Sequence, residues 1–301
     1  MTDRMSAYAR LARAAALVPA FGLLVACGGT DSVLDPAAQG TTIVVGSANS
    51  VPSEVVAHIY AGALARTGAT VRTQPRIGDR AEYLAALDEG GITLVPEISG
   101  DLLDYLNPDA TQSTPDEVFD VLNRSLPDGL SVSDYAAAQD RPAFLMTQPR
   151  ATQLSARSLS DIGAACSTLT LAAAAAPEQS VVDALQAEYG CRFSETRVLP
   201  SADLRTALET GDADVAVVRG SAATGSDDDL VTLVDEKFVY PAQNVLPLYR
   251  TGALTDAQRM KLNIVAGELN TADLADLVRQ IDDADARPAD VARSWLDAHG
   301  L

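Results

Sequence analysis

Three observations predict an α/β fold built on parallel strands. The stretch Thr42–Gly62 (TIVVGSANSVPSEVVAHIYAG) reads as strand, polar turn and helix. The same unit recurs twice before residue 106, and a second series of such units begins near Leu169. Repeated strand–helix units cross back into one sheet, so their strand-to-helix turns collect along one edge. Free backbone N–H groups point out from that edge, which makes it the place to look for a ligand.

Taken in order, Thr42–Val45 is a β-branched run of the kind a buried strand shows, and Gly46–Asn49 is a small polar turn. Val55, Val56, Ile59, Tyr60, Ala63 and Leu64 then form a helical stripe, with Ser50 as its cap and Pro52 in its first turn. Val71–Arg76 leads into Ile77–Glu82, where Asp79 and Glu82 have the spacing of a capping box. Ile92–Val95 leads into Pro96–Asp101, read as a turn, and then into the stripe Leu102, Leu103, Leu106. Thr114–Leu126 starts at a Thr-Pro cap and is helical; Asp128–Asp140 reads as loop.

Ala143–Met146 is the next strand, and Ser158–Ile162 opens a short helix with Ser160 or Asp161 near its start. Leu169–Ala172 begins the second series. A helix follows at Ser180–Tyr189, a strand at Arg197–Leu199, and a helix capped by Ser201–Asp203 that runs through Glu209. The strand Val215–Val218, the polar loop Arg219–Asp229 and the strand Leu230–Val234 complete a second lobe. Phe238–Leu248 is an extended crossing. The rest is helical, at Thr255–Leu269, Thr271–Ile281 and Ala289–His299, with Trp295 facing inward.

Composition narrows the function. The chain has 301 residues and a formal charge of −19, so it offers no basic face to neutralise nucleic-acid phosphates. His58 and His299 are its only histidines, too few for a histidine metal cluster or triad, and neither metal nor cofactor is expected. Asp227-Asp228-Asp229 reads as a solvated loop, since three adjacent side chains do not converge on one ion. No enzymatic constellation emerges.

Residues 1–26 have the plan of a secretory signal: Arg4, Arg10 and Arg13, then an apolar run from Leu11. Leu24-Val25-Ala26-Cys27 resembles the lipobox of bacterial lipoproteins, in which the cysteine becomes the lipid-modified first residue. Gly28–Gly40 is poor in apolar residues and reads as a flexible tether. In the exported chain Cys166 and Cys191 meet an oxidising environment. They precede two successive strands of one βαβ unit, whose starts are neighbours, and a disulfide there is expected. The alternative is two inert buried thiols.

From about Thr42 to Leu301 the chain resembles the substrate-binding proteins of osmoprotectant ABC transporters, the glycine betaine/choline/carnitine class. The resemblance rests on Gly46-Ser47, Ile59-Tyr60, Pro96-Glu97 with Gly100, Ser160-Asp161-Ile162, Glu188-Tyr189-Gly190 and Gly211–Val215. Asp229-Leu230-Val231, Asp235-Glu236-Lys237, Asn244–Pro247 and the tail Pro288…Val291-Ala292…Trp295-Leu296 complete it. It implies a two-lobed, type II periplasmic-binding-protein-like fold: two α/β lobes, each a mostly parallel sheet flanked by helices, joined by two crossovers, with ligand in the cleft. The division expected is 1–26 signal, 27–40 tether, 41–142 with 246–301 as lobe 1, and 143–245 as lobe 2. The role implied is an extracytoplasmic, lipid-anchored, monomeric receptor that hands a small molecule to an ABC permease. A lipid-anchored sensor or scaffold without transport is the other reading.

Candidate ligand residues are Ser47, Asn49, Ser50, Arg80, Glu97, Ile98, Ser99, Asp140, Arg141, Arg219, Ser221 and Asn244. Glu97 serves equally well as a cap for the next helix, and the arginines as surface charges. Tyr60, Tyr83 and Tyr105 read as core. The family resembles one that encloses a trimethylammonium group in aromatic rings. Aligned on the motifs, those ring positions carry Ser50, Ile98, Pro142 and Arg219, and Arg80 stands where a small hydroxyl residue is usual. Guanidinium groups suit carboxylates and hydroxyls rather than quaternary ammonium, so the ligand expected is anionic or rich in hydroxyl groups.

Overall fold

The structure is a computed structural model, and it describes residues 42–220, 229–282, 284 and 286–301. Cys27, Ser221, the leader and the tether lie outside the described residues. The chain opens with β1 (Ile43–Gly46), α1 (Val51–Ala65), β2 (Val71–Gln74), α2 (Arg80–Asp88) and β3 (Leu94–Ile98). It continues through α3 (Ser99–Leu106), α4 (Pro115–Ser125) and β4 (Leu130–Val132). Next come β5 (Ala143–Thr147), α5 (Gln148–Leu154), α6 (Leu159–Ile162), β6 (Thr170–Ala173) and α7 (Gln179–Tyr189). β7 (Glu195–Val198), α8 (Leu204–Thr210), β8 (Val215–Val218) and β9 (Leu230–Leu233) follow. The chain then returns through β10 (Val245–Arg250) and ends in α9 (Asp256–Glu268), α10 (Thr271–Asp282) and α11 (Pro288–Ala298).

Two five-stranded sheets result, ordered β2-β1-β3-β10-β4 and β7-β6-β8-β5-β9. Their plans are the same. Three parallel strands lie side by side, then one antiparallel strand that has just arrived from the other sheet, then a short edge strand. Helices flank both sheets. This is the two-lobed, type II plan, with four of the five strands of each sheet pointing one way.

The helix starts follow local chemistry. Ser50 accepts from the Ser53 N–H at the start of α1, and Asp79 with Glu82 forms a reciprocal capping box on α2. The stripe on α1 is buried throughout, because α1 packs on β1 and also under α9, α10 and α11; Trp295 and Leu296 close over it. Each fully buried Leu or Ile in that layer contributes about 1.5–3 kcal/mol. In the second lobe a disulfide joins Cys166, just before β6, to Cys191, just before β7, with Cα atoms 5.2 Å apart.

Two sequence expectations are corrected. Pro96-Glu97-Ile98 is strand rather than turn, because β10 pairs with β3 as far as Ile98. The register sets Pro96 opposite Pro247. The stretch 128–140 is not all loop, since Leu130–Val132 adds β4 to the edge of β10.

The lobes are joined by two crossing segments, 133–142 and 234–244, which touch each other. Gln139 and Asn244 form an antiparallel bridge, and the Asp140 N–H donates to Gln243 O at 3.0 Å. Arg141 reaches Asp235 at 3.3 Å and lies over the Phe238 ring at 4.5 Å. One glycine from each lobe abuts the crossings. Gly100, two residues past β3, leaves room for a Cβ only 2.5 Å from Ala242 O; Gly220, two residues past β8, only 2.7 Å from Arg141 O. β3 and β8 are the middle strands of their sheets, so each lobe meets the hinge at the same point of the same plan.

Candidate functional site

A cavity of about 260 Å³ lies at the strand-end edge of the first sheet, where the second lobe meets it. Ala48 and Ser50 come from the turn after β1, Pro52, Ser53 and Val56 from the first turns of α1, and Arg80 and Tyr83 from α2. Pro96, Glu97 and Ile98 come from the end of β3, Asp101 from α3, Asp140 from the first crossing and Arg219 from just past β8. Val245 and Leu274 complete an apolar side.

Its polar floor is one connected group. Glu97 is 3% exposed and accepts four hydrogen bonds. Arg80 Nε and Nη2 donate to its two oxygens at 3.0 Å each, the Tyr83 hydroxyl donates at 2.6 Å, and the Ile98 N–H donates at 3.0 Å. Arg80 Nη1 donates to the backbone oxygen of Asp101 at 3.1 Å, and the guanidinium lies 5.8 Å from the centre of the Tyr105 ring. Burial opposes the charge on Arg80, but hydrogen bonding and attraction from Glu97 outweigh it and raise its pKa. Burial raises the Tyr83 pKa as well, with the Glu97 charge adding to it, so Tyr83 stays a neutral donor. The cluster is thus a fixed, charge-paired platform. Three of the five N–H bonds of Arg80 are used, which leaves two for a ligand.

Opposite the platform, Arg219 Nη1 lies 3.8 Å from Asp101 Oδ2, and both side chains are partly exposed, at 57% and 36%. Among the described residues this ion pair spans the lobes. The two arginines do line one cavity, but each faces an acid: Arg80 has Glu97 and Arg219 has Asp101. With Asp140 the lining therefore holds three acids against two arginines.

Of the twelve candidate residues, Ser50, Arg80, Glu97, Ile98, Asp140 and Arg219 line the cavity. Ser47 is fully buried and holds the β1–β2 edge instead, its Oγ accepting from the Arg76 N–H at 2.8 Å. Asn49 is exposed beside the mouth and its N–H donates to Gly78 O. Ser99 and Asn244 are buried against each other at the β3–β10 junction, the Asn244 N–H donating to Ser99 Oγ at 3.0 Å. Arg141 is committed to Asp235 in the hinge. Ser221 lies outside the described residues. Ser53, Tyr83 and Asp101 are the polar lining groups that sequence reasoning passed over. Arg80 required a counter-ion, and Glu97 and Asp101 were the acids standing beside the predicted turn.

A second, larger cavity of about 330 Å³ sits behind α2 and α3, lined mainly by leucines with Asp88, Asp128 and Arg250. It contains none of the candidate residues.

Residues 41–298 match OpuAC, the substrate-binding domain of ABC-type glycine betaine transport systems. The chain belongs to this OpuAC family. Among curated protein sequences none matches it. Solved structures of similar fold include a glycine betaine/carnitine/choline ABC transporter protein, 18% identical, with a TM-score of 0.78 over 86% of this chain and 98% of that one. The apo form of YehZ from Escherichia coli is 19% identical, with a TM-score of 0.75 over 87% of this chain and 99% of the other. Lactococcal OpuAC, in a closed form with glycine betaine, is 13% identical and covers 87% of this chain and 97% of its own, with a TM-score of 0.51. At these identities the likeness shows the fold. The protein is thus a solute-binding protein of the ABC glycine betaine-type transporter family, and within the described residues of this OpuAC-family cavity Tyr83 supplies the one aromatic ring.

Proposed function

We propose that this chain is an extracytoplasmic, lipid-anchored monomeric receptor that delivers a small polar solute, anionic or hydroxyl-rich and without a quaternary ammonium group, to an ABC permease. The observation that carries this reading is the interlobe cavity, polar at one side through Arg80, Glu97, Asp101 and Arg219 and apolar at the other through Val56, Ile98 and Val245. A trimethylammonium ion has no N–H and depends on ring faces for a strong contact. Among the described residues the only ring lining this cavity belongs to Tyr83, whose hydroxyl is committed to Glu97. No helix among the described residues is long and apolar enough to cross a membrane. Attachment in this reading rests on Cys27.

A thermal-shift panel of glycine betaine, choline, dicarboxylates and sugars on the purified mature protein tests it. A ligand present at a hundred times its Kd stabilises by about 2.7 kcal/mol. Glycine betaine and choline are expected to leave the melting temperature unchanged, and at least one hydroxyl- or carboxylate-bearing probe to raise it. Micromolar binding of glycine betaine, unaffected by Arg219→Ala, overturns the ligand class.

A further inference from the structure

We infer that the cleft is built for a neutral, polyhydroxylated solute, with Asp101 and Arg219 as a two-sided clamp on one of its hydroxyl groups. The inference rests on the receptor reading above and names its ligand class.

The separation of the clamp is the first observation. Arg219 Nη1 and Asp101 Oδ2 stand 3.8 Å apart, too far for a hydrogen bond between them. An oxygen placed about 2.8 Å from each, the ordinary hydrogen-bond length, closes a triangle on that base with an angle near 85°. An alcohol oxygen in that place accepts from the guanidinium and donates to the carboxylate at the same time. A hydroxyl does this through a single atom. A carboxylate pairs with Arg219 but is repelled by Asp101, an ammonium does the reverse, and a quaternary ammonium hydrogen-bonds to neither.

The charge of the lining is the second observation. Glu97 neutralises Arg80 and accepts four protein hydrogen bonds, so it offers no acceptor to a charged ligand. Asp101 offsets Arg219. With Asp140 the lining carries three acids against two arginines, so an anion finds no surplus positive charge here and would also meet the field of a chain of formal charge −19. A neutral polyol meets none of these costs. The two unused N–H bonds of Arg80 and the hydroxyl of Ser50 on the same wall suit further hydroxyl groups.

Calorimetric titration of the mature protein with myo-inositol, mannitol and glucose, with glycine betaine and malate alongside, decides the matter. At least one polyol is expected to bind with an affinity insensitive to added NaCl. Asp101→Asn and Arg219→Gln are each expected to weaken it about tenfold or more. Both side chains are partly exposed, so the variants should fold, and the melting temperature of the empty protein verifies this. Binding of malate that tightens in Asp101→Asn overturns the clamp and leaves the receptor reading standing, whereas binding of glycine betaine with no polyol bound overturns the clamp and the proposed ligand class together. Absence of binding by every probe overturns both.

Discussion

Glu97 is where residue chemistry and site coincide. A carboxylate has about four acceptor positions, and all four are taken by Arg80, Tyr83 and Ile98, so Glu97 holds Arg80 in place. Its removal leaves a buried hydroxyl and a half-buried guanidinium without their acceptor. Glu97→Gln should therefore cost about 1–3 kcal/mol in urea unfolding, against about 0–1 kcal/mol for Asp101→Asn, whose pair with Arg219 is solvent-screened. Equal losses from the two variants would show that the platform is no stronger than a surface ion pair. His58 on α1 gives a pH signature. Burial lowers its pKa below the ordinary 6.5, with Glu54 opposing. The unfolded chain therefore takes up the proton first as pH falls. Stability from this source is complete above about pH 6.5 and is lost as pH falls toward the folded value. Denaturation midpoints followed down through this range should fall less steeply in His58→Gln than in the parent; parallel curves would assign the loss to the carboxylates. At this scale the sequence located the site edge better than the direction of each side chain. Ser47, Ser99 and Asn244 stand just outside the ends of β1, β3 and β10, where their side chains are taken up by backbone groups.

Among the elements, those with a long apolar stripe or a cap were legible, and those fixed by a distant strand were not. The stripe on α1 and the Asp79–Glu82 box mark their helices without help from the rest of the chain. Pro96–Ile98 looks like a turn until β10, some 150 residues later, pairs with it, and β4 has only three residues, too short for a periodicity. Gly100 and Gly220 were likewise unreadable, because what requires them is a backbone oxygen of a crossing segment. An alanine methyl at either place would lie 2.5 or 2.7 Å from that oxygen, so the backbone must move. Gly100→Ala and Gly220→Ala are each expected to destabilise by about 1–3 kcal/mol and to change the angle between the lobes, read by small-angle scattering of the empty protein. Scattering and stability both unchanged would mean that the crossings yield freely and that the glycines do not set the hinge.

For the whole molecule, the two lobes repeat one sheet plan, so the hinge, the cleft and the paired glycines come from a single architecture used twice. Its net charge bears on where it works. A chain of formal charge −19 is repelled by anionic lipid surfaces and gains nothing from electrostatic adhesion. In the proposed reading, retention at a membrane rests on a lipid on Cys27, the residue that ends Leu24-Val25-Ala26-Cys27. Anchoring of that kind withstands salt, because it depends on buried acyl chains, and it is stable when more than one chain inserts. The wild-type protein should sediment with membranes, remain there through a high-salt wash and enter solution only with detergent. Cys27→Ser should leave the leader uncleaved. Wild-type protein found in the soluble fraction, or cut at a site other than the bond before Cys27, would show that the leader is an ordinary secretory signal and that this receptor works unattached.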